Sequence, residues 1–209
     1  MRAPPYFIAR HLAHPQGVLG SLVARLMNRH NARMNRLAVE CLDAQADQRI
    51  LEVGFGGGVT LPALLSRAGF VAGVDRSVRM VERANRQFAP DIAARRAQFQ
   101  VADAEALPFD EAMFHGACTV NTIYFWQSLQ RGFAELHRTL APGGRLVTGF
   151  LPKARMDELG FPVDFFTSRA PEEVMETLRA VGFHRVGLVR PNRPAEWCVI
   201  SAERPSKGL

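Results

Sequence analysis

Ile50-Leu-Glu-Val-Gly-Phe-Gly-Gly-Gly58 is the stretch that decides the fold. Its apolar half, extended back to Arg49–Val53, reads as a strand buried on both faces. Its glycine half lets backbone approach a ligand closely where a strand feeds a helix. Outward from it, Val59–Ala68 reads as a helix and Phe70–Val74 as a second strand ending at Asp75. A helix over Val78–Phe88, a strand Ala97–Val101, a strand Phe114–Val120 and a helix Leu129–Leu140 follow. Ala141-Pro-Gly-Gly144 predicts a turn into a fifth strand, Arg145–Phe150. Residues 151–170 read as irregular, Pro171–Val181 as a helix opened by proline, and Arg185–Arg190 and Glu196–Ala202 as closing strands. Strands alternating with helices imply an α/β fold: a seven-stranded, mostly parallel, Rossmann-like sheet with a reversed last strand and helices on both faces. Ligands in such sheets bind beyond the carboxyl ends of the strands, at the switch point.

Asp75 lies 21 residues after Gly54, the position of a ribose-binding carboxylate in a nucleotide-binding βαβ unit. The competing role is to cap the helix that starts after Ser77. A dinucleotide fingerprint needs glycine five positions after the first, and Val59 and Leu61 stand there instead. No Gly-Lys-Ser/Thr follows the loop, which removes the P-loop pattern, and a nicotinamide-dependent oxidoreductase is disfavoured with the dinucleotide motif.

Four motifs in order then carry a resemblance. ILEVGFGGG, GVDRSVRMVERA, VADAEALPFDEAMFHGACTVNTIYFW and ELHRTLAPGGRLV make residues 50–150 resemble a class I S-adenosylmethionine-dependent methyltransferase of the ubiquinone/menaquinone-biosynthesis-like group. The resemblance implies that Glu52, Gly54, Gly56 and Gly58 surround the methionine part of S-adenosylmethionine. It implies that Asp75 holds the ribose, that Arg76 flanks the adenine, that Asp103 accepts the adenine amino proton beside the Ala104 backbone, and that Asn121 contributes backbone. Asp103 also reads simply as a turn carboxylate. The cofactor expected is S-adenosylmethionine, released as S-adenosylhomocysteine. No His/Cys/acid cluster has metal-ligand spacing, so no metal is expected.

Methyl transfer from a sulfonium is an in-line displacement with a neutral leaving group. Alignment supplies much of the acceleration, and a base is needed only where the acceptor must lose a proton. Tyr124 and Trp126 are candidates to line the acceptor pocket, with packing the competing role, and Tyr124 and His11 are the candidate catalytic side chains. His115, His137 and His184 fall at positions that do not suit chemistry, and Phe161, Phe165 and Phe166 suggest an apolar acceptor wall.

Composition bounds the rest. Of 26 basic residues, six arginines (Arg2, Arg10, Arg25, Arg29, Arg33, Arg36) precede the first acid, Glu40, and account for the whole formal charge of +6. The chain thus divides into a basic helical arm, residues 1–44, and a neutral βα domain, residues 45–209. Apolar residues at helical spacing from Leu19 through Met34, Leu37 and Cys41 predict one helix, or two split at Asn28 or Asn31. Three functional readings of the arm compete beside its plain reading as a solvated helix face: a lid and substrate wall, which is favoured, an anionic-lipid surface, and a nucleic-acid contact. Nucleic acid is disfavoured because the arm has few aromatic stacking residues. Three scattered cysteines and an N-terminus without an apolar core predict a cytoplasmic protein. The functions in competition are a methyltransferase on a small, hydrophobic acceptor, a phospholipid or membrane-associated methyltransferase, and a non-catalytic S-adenosylmethionine-binding module.

Overall fold

The computed structural model describes residues 31–189 and 196–206. Helix α1, Ala32–Leu42, leads into strand β1, Arg49–Val53. Then come α2 (Leu61–Leu65), β2 (Phe70–Asp75), α3 (Val78–Gln87), α4 (Ala89–Ala93), β3 (Ala97–Val101) and β4 (Phe114–Val120). A 3-10 turn, Ile123–Phe125, precedes α5 (Leu129–Thr139) and β5 (Leu140–Phe150). The chain continues through α6 (Lys153–Leu159), α7 (Pro171–Ala180), β6 (His184–Val189) and β7 (Cys198–Glu203).

The seven strands lie in the order β3-β2-β1-β4-β5-β7-β6. The first five pair in parallel, and β7 runs antiparallel to both neighbours. The expected reversed last strand is therefore present. The chain builds outward from β1 to β3 and then returns to place β4 on the other side of β1. That reversal between β1 and β4 is the switch point, where the carboxyl ends of two central strands part and leave a crevice.

Alternation along the strands splits the core in two. Leu51, Val53, Phe114, Ala117, Leu146 and Phe150 face one side, where α5 and α7 bring Phe133, Leu136, Val174 and Leu178. Ile50, Val71, Cys118, Val147 and Val199 face the other, under α1, α2 and α3. Helix α1 starts after Asn31, one of the two predicted breaks, and buries Met34, Ala38, Val39 and Leu42. The expected stripe is thus rotated: Leu37 and Cys41 are only partly buried at its edge. Arg33 and Arg36 are exposed. The rest of the predicted arm helix, with Arg25 and Arg29, lies outside the described residues.

Three local expectations are corrected. The helix after the glycine loop is shorter than 59–68: it spans Leu61–Leu65, with Thr60 as its N-cap residue and the Thr60 hydroxyl bonded to Glu52. The predicted turn at 141–144 is a bulge inside a longer β5: the pairing steps from Phe114↔Leu140 to Gly116↔Arg145. Residues 151–170 are not all irregular, since they contain α6, closed by Gly160 at φ 67°. Among the described residues no helix is long and apolar enough to cross a membrane.

Candidate cofactor site at the carboxyl edge of the sheet

The loop after β1 is held in a shape that only glycine adopts without strain. Gly54, Gly56 and Gly58 have φ of 74°, 48° and 70°. The Gly54 N–H donates to Val74 O at 2.7 Å, so the loop leaves β1 still tied to β2. A Cβ at Gly54 would stand 2.3 Å from Thr122 Cγ2, whereas one at Gly56 would meet nothing within 4 Å. Thr122 is itself joined to Thr119, and the Thr119 hydroxyl bonds to Val53 O at 3.0 Å. The ends of β1 and β4 are therefore latched across the switch point.

Asp75 closes the neck of the loop. One carboxylate oxygen accepts the Gly56 N–H at 2.7 Å and the other the Ser77 N–H at 2.8 Å. It thus shapes the loop and also anchors the start of α3, whose N-cap Ser77 makes no side-chain cap bond of its own. Burial pushes its carboxyl above the usual range, against the lowering effect of those two N–H donors. Glu52 lies deeper, 4% exposed. Its Oε1 accepts the Thr60 hydroxyl, while Oε2 is buried with no partner among the described residues. Burial pushes its pKa up to about 7, opposed by the Thr60 bond and reinforced by the charge of Asp75.

Asp103 and Ala104 follow β3. Ala104 is buried and Asp103 half exposed. Asp103 Oδ1 accepts the Glu105 N–H at 3.0 Å, and Oδ2 lies 3.6 Å from Arg76 Nε. Arg76 also donates to Phe125 O at 3.4 Å, so it spans the gap between the turns after β3 and β4. Asn121, with φ 59°, donates its N–H to Gly149 O at 2.8 Å.

Tyr124 is buried, and its hydroxyl is occupied: it donates to Asn121 Oδ1 at 3.0 Å and accepts the Leu151 N–H. Burial pushes its pKa above the ordinary phenol value. Tyr124 meets Phe125 and Phe166 edge to face, as Phe161 meets Phe166, and the Phe125 and Phe166 rings are tilted with centroids 5.3 Å apart. Trp126 packs against Phe133 at 5.2 Å, inside the core. His115 Nδ1 accepts the Arg49 N–H at 3.1 Å at the opposite edge of the sheet. His137 sits against Phe183, and His184 beside Glu203. His11 lies outside the described residues.

Strand ends bring Glu52, the three glycines, Asp75, Arg76, Asp103, Ala104, Asn121 and Tyr124 to one edge. Sequence reasoning missed Thr60, the Thr119–Thr122 latch and Glu105. Thr60 bonds to the Glu52 side chain, Thr119 to Val53 O and Glu105 to the N–H groups of Gln127 and Ser128, and no sequence pattern marks such bonds.

Comparison with known proteins bears on the family and the fold. Residues 51–148 match the family described as Methyltransferase domain. An O-methyltransferase of Aspergillus sclerotiorum, resE, is 31% identical over 72% of this chain and 60% of its own length. A demethylmenaquinone methyltransferase of Clavibacter sepedonicus is 35% identical over 49% of this chain and 40% of its own. The chain covers 60%, 42% and 32% of the length of the first three curated relatives it matches. Geranyl diphosphate C-methyltransferase from Streptomyces coelicolor A3(2), solved with Mg2+, geranyl diphosphate and S-adenosyl-L-homocysteine, shares the fold. Its TM-score is 0.70 at 16% identity, over 93% of this chain and 87% of that one. Through residues 51–148 the chain belongs to the class I S-adenosylmethionine-dependent methyltransferases.

Proposed function

We propose that this protein transfers the methyl group of S-adenosylmethionine to a small, apolar acceptor, at oxygen, nitrogen or carbon. The observation that carries the reading is the Asp75 carboxylate. It lies at the neck of a loop with positive φ at Gly54, Gly56 and Gly58, on the strand next to the one that ends before Asp103. Two carboxylates in that order suit a ribose and an adenine amino group. Two features support the fit: the open space over Gly56, and the unpartnered, buried Glu52 Oε2, an acceptor suited to a cationic or N–H-bearing group. In this reading Glu52 and Gly54, Gly56 and Gly58 hold the methionine end, Arg76 and Ala104 border the ring, and Asn121 borders the reacting end. The bound cofactor would supply a methyl group already activated on a sulfonium.

The chain's own residues then chiefly align and exclude water. None of the three described histidines lies at this edge, and the Tyr124 hydroxyl is engaged and held protonated by burial. Tyr124 therefore serves to hold Asn121 against Leu151 rather than to abstract a proton. The aromatic wall of Phe125, Phe161 and Phe166 favours an apolar acceptor. Such an arrangement draws its rate from positioning.

Calorimetry with S-adenosylhomocysteine tests the cofactor assignment. The wild type is expected to bind, and Asp75→Ala to bind at least about tenfold more weakly, since charged hydrogen bonds of 1.5–3 kcal/mol are lost. Asp75→Asn, which keeps one acceptor oxygen, should fall between. No binding by the wild type, or equal binding by a folded Asp75→Ala, overturns the assignment.

A further inference from the structure

We propose that Glu105 is a positioning residue that locks the turn after β3 to the segment after β4, and so sets the width of the slot for the adenine ring. The inference rests on the cofactor assignment above and deepens it. The Glu105 side chain is 10% exposed. Its Oε1 accepts the N–H groups of Gln127 at 2.5 Å and Ser128 at 3.0 Å. Its Oε2 accepts Arg131 Nε at 2.7 Å, with Nη2 also at 2.7 Å. The two backbone donors stand immediately before and at the N-cap of α5, where a helix leaves N–H groups without internal partners. Four donors on one carboxylate use its full accepting capacity, two of them charged.

The backbone of the same residue works in the other direction. The Glu105 N–H is donated to Asp103 Oδ1, which orients the carboxylate assigned to the adenine amino group. One residue thus fixes Asp103 on one wall of the slot and Gln127–Ser128 on the other. Arg76 spans the same gap nearer solvent, reaching Asp103 and Phe125 O with a side chain that is 56% exposed. Solvent screens that exposed contact, whereas the Glu105 carboxylate is held by four donors at 10% exposure, with its Arg131 partner at 62%. Glu135 offers the contrast. It accepts the Leu107 N–H at 2.7 Å and pairs with Arg138, which reaches Leu107 O and Phe109 O. It therefore steadies the far end of the same turn without touching the segment after β4.

The test compares wild type, Glu105→Ala, Glu105→Gln and Glu135→Ala, each well below its melting temperature, by amide hydrogen exchange of the free protein and by calorimetry with S-adenosylhomocysteine. Glu105→Ala should raise exchange in residues 103–107 and 121–128 together. It should also weaken binding about tenfold, equivalent to about 1.4 kcal/mol. Glu105→Gln keeps an oxygen for the two backbone donors and should recover most of that loss. Glu135→Ala should raise exchange only around 106–110, with affinity within about twofold of wild type. The proposal is overturned if exchange in Glu105→Ala rises in only one of the two segments, or if its affinity matches that of wild type or of Glu135→Ala. If the wild type itself does not bind S-adenosylhomocysteine, the cofactor assignment falls, and the exchange pattern alone decides whether Glu105 couples the two walls.

Discussion

Glu52 carries a carboxyl group into a place with a single hydroxyl donor, beside Asp75 and under Thr60. A carboxylate so placed is poorly solvated, and its proton is held to about pH 7 in the folded chain against about 4.5 for an ordinary glutamate. The sign of the linkage follows from proton counts. Between those values the folded state binds a proton that the unfolded state has released, so stability falls as pH rises. The contribution is complete below about pH 4.5 and lost as pH passes through 7. The full swing is about 3 kcal/mol. Asp75 shifts in the same direction, so the wild type alone does not isolate Glu52. Thermal unfolding of wild type and Glu52→Gln at pH 5 and pH 8 does. The wild type should lose roughly 5–10 °C more than the variant over that interval, and parallel curves would show that the Glu52 proton is not retained. Single residues were legible in the sequence where the backbone forced the choice: Gly54, Gly56 and Gly58 all take left-handed φ. Asp75 was legible from its spacing. Glu105 was not, because its role consists of bonds to Gln127 and Ser128, more than twenty positions away.

Helix α5 shows an element in which packing overrides propensity. Gly132 lies in its interior, where glycine normally costs about 1 kcal/mol relative to alanine. Here a Cβ would stand 2.4 Å from Trp126 Cε3 and 2.6 Å from Cζ3, and Trp126 is wedged against Phe133. Gly132→Ala should therefore destabilise by roughly 1–3 kcal/mol despite its better helix propensity, read as a lower urea midpoint; a higher midpoint would show that Trp126 moves freely. Elements followed the sequence closely wherever apolar continuity was the signal. β1 and β4 start and end where their apolar runs do, because each is flanked by parallel neighbours and largely buried on both faces, and β3 matches its expected bounds as an edge strand that alternates buried Ala97 and Phe99 with exposed Gln98. The misses have local causes. The bulge at 141–144 keeps Pro142, Gly143 and Gly144 inside a paired strand that reads as a turn. Helix α6 carried a usable signal, Pro152 just before its start and Gly160 just after its end. The single helical turn at Ile123–Phe125 had none, since it is held by the Tyr124 bonds to Asn121 and Leu151 rather than by its own propensity.

Across the whole molecule, α1 connects the basic segment to the sheet in a way that composition conceals. Charge divides the chain near residue 45, yet α1 lies on the face of β4, β5 and β7 and shares one core cluster with Ile50, Val147 and Val199. Met34 packs so closely over β5 that a Cβ at Gly149 would stand 3.1 Å from its Cγ. Burial of Met34, Val39 and Leu42 contributes on the order of 5–9 kcal/mol at 1.5–3 kcal/mol each. That is comparable to the 5–15 kcal/mol by which a whole domain is stable. One of the strands it covers, β4, pairs with β1 and ends just before Asn121, so losing α1 would loosen the strands that place the glycine loop and Asn121. Two deletions separate the charge boundary from the packing boundary. Removal of residues 1–31 leaves α1 in place and should preserve cooperative thermal unfolding. Removal of residues 1–44 strips the helix and should give a chain that binds a hydrophobic dye and loses its sharp melting transition. Retention of that transition by the shorter chain would show instead that the sheet stands without α1 and that the charge boundary is also the structural one.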